Sequence, residues 1–220
     1  MPLNLIKINI MKTKLLFLFS FTFLIATTSW SQVVEITPTY GYQFGSKLNY
    51  GVSNYLKISS SDQFGITVGV EADDDMMVEL SYIHHSTELR IRDIIISPIE
   101  DRITDVYADW IMIGVNRYFG DGMVKPFFGG SLGVVFLSND NVNYDIVNYS
   151  IDNNSKFAFS FKGGVNIMFT ETVGLNLQGG MMVPVTWGGV YVGSGGSGVS
   201  VSGSTVIGYV SGGLVFRVGS

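Results

Sequence analysis

The chain contains no cysteine, which excludes disulfides and thiolate metal sites as a source of stability. Charge is also scarce. Asp, Glu, Lys and Arg make up 14% of the 220 residues, against about 25% in an ordinary soluble domain. A water-washed surface of this size needs more charge, so something replaces that need. Histidine occurs twice, which confines imidazole chemistry to His84 and His85. Beyond the first 31 residues no apolar run reaches 18, the length a helical membrane span needs. Residues 1–31 hold Lys7, Lys12 and Lys14 and no acid; without them 10 basic residues face 18 acidic ones, a balance of −8. So acidic a chain makes a nucleic-acid partner a poor expectation.

What is present begins with a leader. Met11 to Lys14 is basic, Leu15 to Ala26 is apolar, and TTSWSQ follows with Ser29 and Ser31 at the −3 and −1 positions. This is the layout of a secretory signal peptide cut before Gln32. Residues 1–31 are therefore expected to be removed, with Met11 as a candidate true start, and residues 32–220 to form one domain. An apolar run of 12 is too short for a helical anchor.

After the leader, large apolar residues recur at every second position. SKFAFSFKGGVNIMF (155–169) shows it best. Phe157, Phe159, Phe161, Val165, Ile167 and Phe169 alternate with Ala158, Ser160, Lys162, Gly164, Asn166 and Met168. Period two is the mark of a strand with two unlike faces. Segments at 36–44, 64–70, 76–82, 110–116, 128–136, 173–185 and 210–218 repeat it, giving eight. The connections alternate between short (71–75, 120–124, 170–172) and long (46–61, 86–105, 138–154, 188–204). That rhythm predicts an all-β, closed, antiparallel up-and-down barrel of eight strands. The first strand must then pair with the last, leaving no open edge.

Two barrels fit such alternation. A soluble one turns its apolar face inward, whereas a transmembrane β-barrel turns it to lipid. The other face decides the matter. It holds mostly Gly, Ser, Thr, Asn and Gln, with single charges such as Glu79, Lys162 and Arg217. A surface bathed in bulk water should carry far more Lys and Glu, while a narrow lumen needs small, interlocking groups. The apolar face is free of mid-strand charge, as lipid requires. Tyr40, Tyr42, Tyr82, Tyr118, Phe119, Phe127, Phe128, Phe157 and Trp187 lie near strand ends, where aromatic girdles belong.

With the leader ending SWSQ, the opening strand ITPTYGYQFG, the hairpin NRYFGDGMVKPFFGGSLGVVFL and the closing strand SGGLVFRV, residues 32–220 resemble the small outer-membrane β-barrel proteins of Gram-negative bacteria, of the OmpA-transmembrane-domain and OmpX kind. The resemblance implies a monomer in the outer membrane, surrounded by lipid and lipopolysaccharide. It also implies insertion by the barrel-assembly machinery, and long surface loops open to an extracellular partner. That family usually ends on an aromatic residue; here Phe216 and Val218 precede Gly219 and Ser220, and Phe216 is the residue that could serve as the assembly signal.

Candidate chemistry is sparse. His84 and Ser86 would share one strand face, with Glu88 near. They resemble the outer-wall His, Ser and acid of lipid A deacylases, where imidazole takes the hydroxyl proton and the acid orients the ring. The competing reading makes them polar residues at a rim. His84 and His85, being adjacent, point to opposite faces and make no metal site. Glu79, Lys162, Gln178 and Arg217 should meet in the lumen as a polar plug, with Glu79 and Arg217 the better pair; a small-solute pore is the alternative. Gly193, Gly195 and Gly198 have dinucleotide-loop spacing but no following helix. Asp140, Asp145 and Asp152 lack the spacing of a calcium loop. No cofactor and no metal are expected, and catalysis only through His84, Ser86 and Glu88.

Overall fold

The computed structural model describes residues 33–49, 53–95, 97–120, 122–144, 146, 153–185, 187–193, 196–201 and 206–219. The expected leader at 1–31, Asp145, Asp152 and Gly195 lie outside them. The strands, in chain order, are β1 (Val34–Gln43), β2 (Ser46–Asn49), β3 (Tyr55–Ile58), β4 (Ser61–Asp73), β5 (Met76–Asp93), β6 (Ser97–Tyr118), β7 (Val124–Asp140), β8 (Asn154–Met168), β9 (Val173–Val185), β10 (Trp187–Gly193), β11 (Gly196–Val201) and β12 (Ile207–Val218).

Eight of these close a ring in the order β1, β4, β5, β6, β7, β8, β9, β12, all neighbours antiparallel. The seam is β1 against β12, from Val34 opposite Val218 to Gln43 opposite Tyr209. Short turns join the strands at one end of the barrel. At the other end β5 and β6 run on past the ring, with β3 beside β5 and β2 beside β3. Gly193 and Gly198 fall in the separate β10–β11 hairpin.

The face assignment follows the pattern. Phe159, Phe161, Leu132, Ile113 and Leu80 are exposed on the outer wall. Ala158, Ser160, Asn166, Asn116 and Val135 are buried inside. From Phe157 to Phe169 is about 30 Å along the axis, at about 3.3 Å per residue and a tilt near 40°, enough for a hydrocarbon core. Two expected girdle aromatics turn inward instead: Tyr118 and Phe127 are buried and pack with Met77.

Most described residues of the long connections at 46–61 and 86–105 lie in strands: β2, β3, the end of β5 and the start of β6. Their alternation has the opposite sense. On β5 the odd residues stay inward throughout, so Leu89 and Ile91 join Ile103, Leu56 and Ile146 in a small core. The outward residues Glu88, Arg90 and Arg92 are charged. A search for apolar outer faces passes over such a stretch.

The seam needs glycine at Gly213, opposite Thr39. A Cβ there would sit 2.0 Å from the Pro38 carbonyl oxygen and 3.0 Å from Thr39 Cα, both backbone atoms. Gly213→Ala should therefore force β1 away from β12 and cost about 1–3 kcal/mol, read as a lower urea midpoint for the folded band on an unboiled gel.

Candidate functional site

Three places hold the polar chemistry: the lower lumen, the rim of the wall and the extension above it. In the lumen, Glu79 and Lys162 meet at 2.5 Å. Asn116 donates to Glu79 Oε1 and Lys162 to Oε2, so both carboxylate oxygens are taken. The expected Glu79–Arg217 pair does not form. Arg217 sits directly opposite Glu35 across the seam and donates to its Oε1 through Nε and Nη2. Glu79 is separated from Arg217 by Gly69 and Glu35, along successive strands. Glu35 escapes the sequence reading because the apolar pattern starts only at Ile36. Its other oxygen accepts from Tyr118 Oη, which in turn accepts from Asn166. Gln178 is apart from both pairs and donates to Ser211 Oγ at 3.1 Å. The space left between Glu79, Asn116, Lys162 and Gln178 is about 10 Å³, at most one water.

Above this polar half the lumen is largely apolar, with Gln43, Gln63, His85 and Ser160 as buried polar groups. Trp110, Met112, Val135, Ala158, Met182, Ile207 and Tyr209 form one buried cluster. His85 caps it, with Trp110 Nε1 3.4 Å from its Nδ1. Indole nitrogen can only donate, so Nδ1 accepts and Nε2 carries the proton. Gln43 Nε2 stands 3.1 Å from His85 Nε2 while Gln43 Oε1 is unpartnered. Exchanging the two amide atoms satisfies both groups.

At the rim, β5 presents His84, Ser86 and Glu88 outward. They do not form a triad among themselves. Asp109, opposite His84 on β6, accepts from His84 Nδ1 at 2.7 Å and from Tyr82 Oη at 2.6 Å. Glu88 lies 3.5 Å from Arg90. Phe64 and Tyr107 flank the His84 ring at 5.0 and 6.4 Å between centroids. Asp109 is the residue the sequence reading lacked. It follows from register alone, which needs a short connection between Asp93 and Ser97 rather than a long loop.

In the extension, Glu100 gathers several donors. Tyr55 Oη donates to its Oε2 at 2.7 Å and Lys57 Nζ to its Oε1 at 3.3 Å. The Tyr55 hydrogen bond, then Lys57 and Arg90, hold the Glu100 carboxyl below the usual glutamate range, against an opposing effect of burial. Glu100 in turn raises the Tyr55 hydroxyl. The stabilisation is complete above the ordinary glutamate value, about 4.3, and is lost as pH falls through the lower folded value. Between about pH 6 and about pH 3, amide exchange of Tyr55–Ile58, corrected for intrinsic rate, should therefore accelerate while β8 stays protected.

Asp140 ends β7, where its carbonyl accepts from Thr104 Oγ1. No cluster of three or more potential metal ligands occurs among the described residues.

No protein-family model matches the chain, and no curated protein resembles it in sequence. Solved structures resemble it in fold. The outer membrane protein OprG from Pseudomonas aeruginosa superposes with a TM-score of 0.60 at 12% identity, covering 86% of this chain and 97% of that one. Neisserial surface protein A (NspA) gives a TM-score of 0.52 at 16% identity, covering 84% of this chain and 96% of the other. At such identities the likeness is one of fold.

Proposed function

We propose that this chain, whose fold is that of the small outer-membrane β-barrel proteins, is an integral outer-membrane protein that works through its surface extension and is not an enzyme. One observation carries the reading. Along a single strand, β5, the outward residues change character at one level: Met76, Val78, Leu80 and Tyr82, then His84, Ser86, Glu88, Arg90 and Arg92. β6 changes at the same rung, from Val115, Ile113 and Ile111 to Asp109, Tyr107 and Asp105. A wall in one solvent has no reason to switch; a wall leaving lipid for water must.

On this reading the leader directs export, the barrel-assembly machinery inserts a monomer, and lipid and lipopolysaccharide surround the wall. The filled lumen argues against a pore, so planar-bilayer recordings should show no conductance steps. Outer-membrane fractions should contain a compact band that shifts on boiling. A chain found in soluble fractions, or one with no shift, would count against the proposal.

The Asp109–His84 contact favours a second reading, a lipid-modifying hydrolase. Asp109 would orient the ring, His84 would take the Ser86 proton, and Glu88 would stand by. Ser86 Oγ makes no hydrogen bond among the described residues, which is why this reading ranks second. Mass spectra of lipid A from cells expressing the wild type, His84→Ala or Ser86→Ala separate the two. Loss of an ester-linked acyl chain with the wild type alone would establish the enzyme.

A further inference from the structure

The outer face of the extension carries a feature the preceding reading leaves unused. Lys47 lies opposite Lys57, Lys57 opposite Arg90, and Arg90 opposite Arg102. These four cations occupy one rung across β2, β3, β5 and β6. At about 4.8 Å between strands the row is about 14 Å long. Arg92 stands on the same face, opposite Tyr55. Five of the 13 Lys and Arg residues of an acidic chain thus share one face.

Like charges directly opposite each other destabilise a sheet, so packing alone does not call for this row. Three acids on the same face offset part of it. Asp105 takes Arg102 at 2.8 Å, Glu88 stands 3.5 Å from Arg90, and Glu100 serves Lys57 and Tyr55. Acceptors still run short. Arg90 Nε is 3.3 Å from Glu100 Oε1 yet has no hydrogen-bond partner. Among the described residues Lys47 Nζ has only the Tyr55 ring, 3.6 Å below it.

We propose that this row binds the phosphate groups of lipopolysaccharide saccharides standing beside the barrel in the same leaflet. The inference rests on the outer-membrane reading. Its occupant follows from position. Arg90 is eight residues beyond Tyr82, about 20 Å above the last lipid-facing aromatic of β5. That height lies beyond the lipid head groups and within the sugar layer. The face is also continuous with the lipid-facing wall, so its neighbours are the molecules that surround the barrel. Phosphate on guanidinium and ammonium gives short charge-assisted hydrogen bonds. Glu100 already sits on Lys57 beside Arg90 as an internal carboxylate, and an incoming phosphate would displace it.

The test uses the whole chain refolded in phosphatidylcholine vesicles and titrated calorimetrically with deacylated lipopolysaccharide core oligosaccharide, intact or phosphatase-treated. The intact form should bind at least about tenfold tighter than the treated one, and the difference should shrink with added salt. Lys57→Gln combined with Arg90→Gln should weaken binding by about tenfold or more, with the heat-shifted band retained. Glu100→Gln should strengthen it severalfold. Should the double variant lose its folded band, Lys47→Gln at the sheet edge and the salt titration carry the test. Equal binding of intact and treated oligosaccharide, or wild-type binding by the variants, overturns the proposal. So does binding of heparin without binding of the core, which would point to a soluble glycan. Failure of the chain to sediment with outer membranes would remove the membrane reading separately, leaving the phosphate titration as measured.

Discussion

Lys162→Met is expected to destabilise the folded barrel by about 3–5 kcal/mol, and adding Glu79→Met to recover most of that loss. The two side chains are 13% and 8% exposed, inside a lumen with room for at most one water between them. Removing the ammonium leaves the buried Glu79 carboxyl group with Asn116 as its remaining partner. No other described cation is placed to replace the lost partner, since Arg217 is committed to Glu35. Removing both charges leaves two flexible apolar chains of similar bulk, able to continue the Met77, Tyr118 and Phe127 cluster. Urea titrations in phosphatidylcholine vesicles, read by the heat-shifted band, would measure the cycle. Equal losses in the single and double variants would mean that the pair is solvated and the lumen open.

The barrel was legible because its signal is global. Eight apolar stripes of period two, short and long connections in alternation, and a small polar face each follow from strand geometry. The seam needed only the rule that lipid tolerates no unpaired edge. What escaped were the places where one face changes solvent. Glu88, Arg90 and Arg92 belong to the same strand as Leu80, yet their polarity reads as loop because the apolar partner set has moved indoors. Missing that continuation hid the short connection from Asp93 to Ser97, and with it the register that sets Asp109 against His84. Glu35 was hidden for a related reason. Lumen charge carries no periodic signature, so a strand traced by its greasy face begins at Ile36. Side-chain partners across a lumen depend on stagger, which turn lengths alone fix poorly.

The same change of solvent supplies the sharpest experiment. Leu132 on β7 is 49% exposed and Ile99 at the top of β6 is 81% exposed. A protein wholly in water would accept arginine at either place within about 0.5 kcal/mol, as surface positions do. A barrel in a bilayer would not. Leu132 lies on the rung shared by Leu80, Ile113 and Phe159, midway along the apolar wall. Arginine there must hold its charge in hydrocarbon or drag water and head groups toward it, so Leu132→Arg should cost about 2–4 kcal/mol. Ile99→Arg, in the extension, should stay within about 0.5 kcal/mol of wild type. Both variants, refolded in the same vesicles and titrated with urea, give the comparison in one experiment. Matching small effects would place Leu132 in water and turn the barrel wall into an ordinary wet surface.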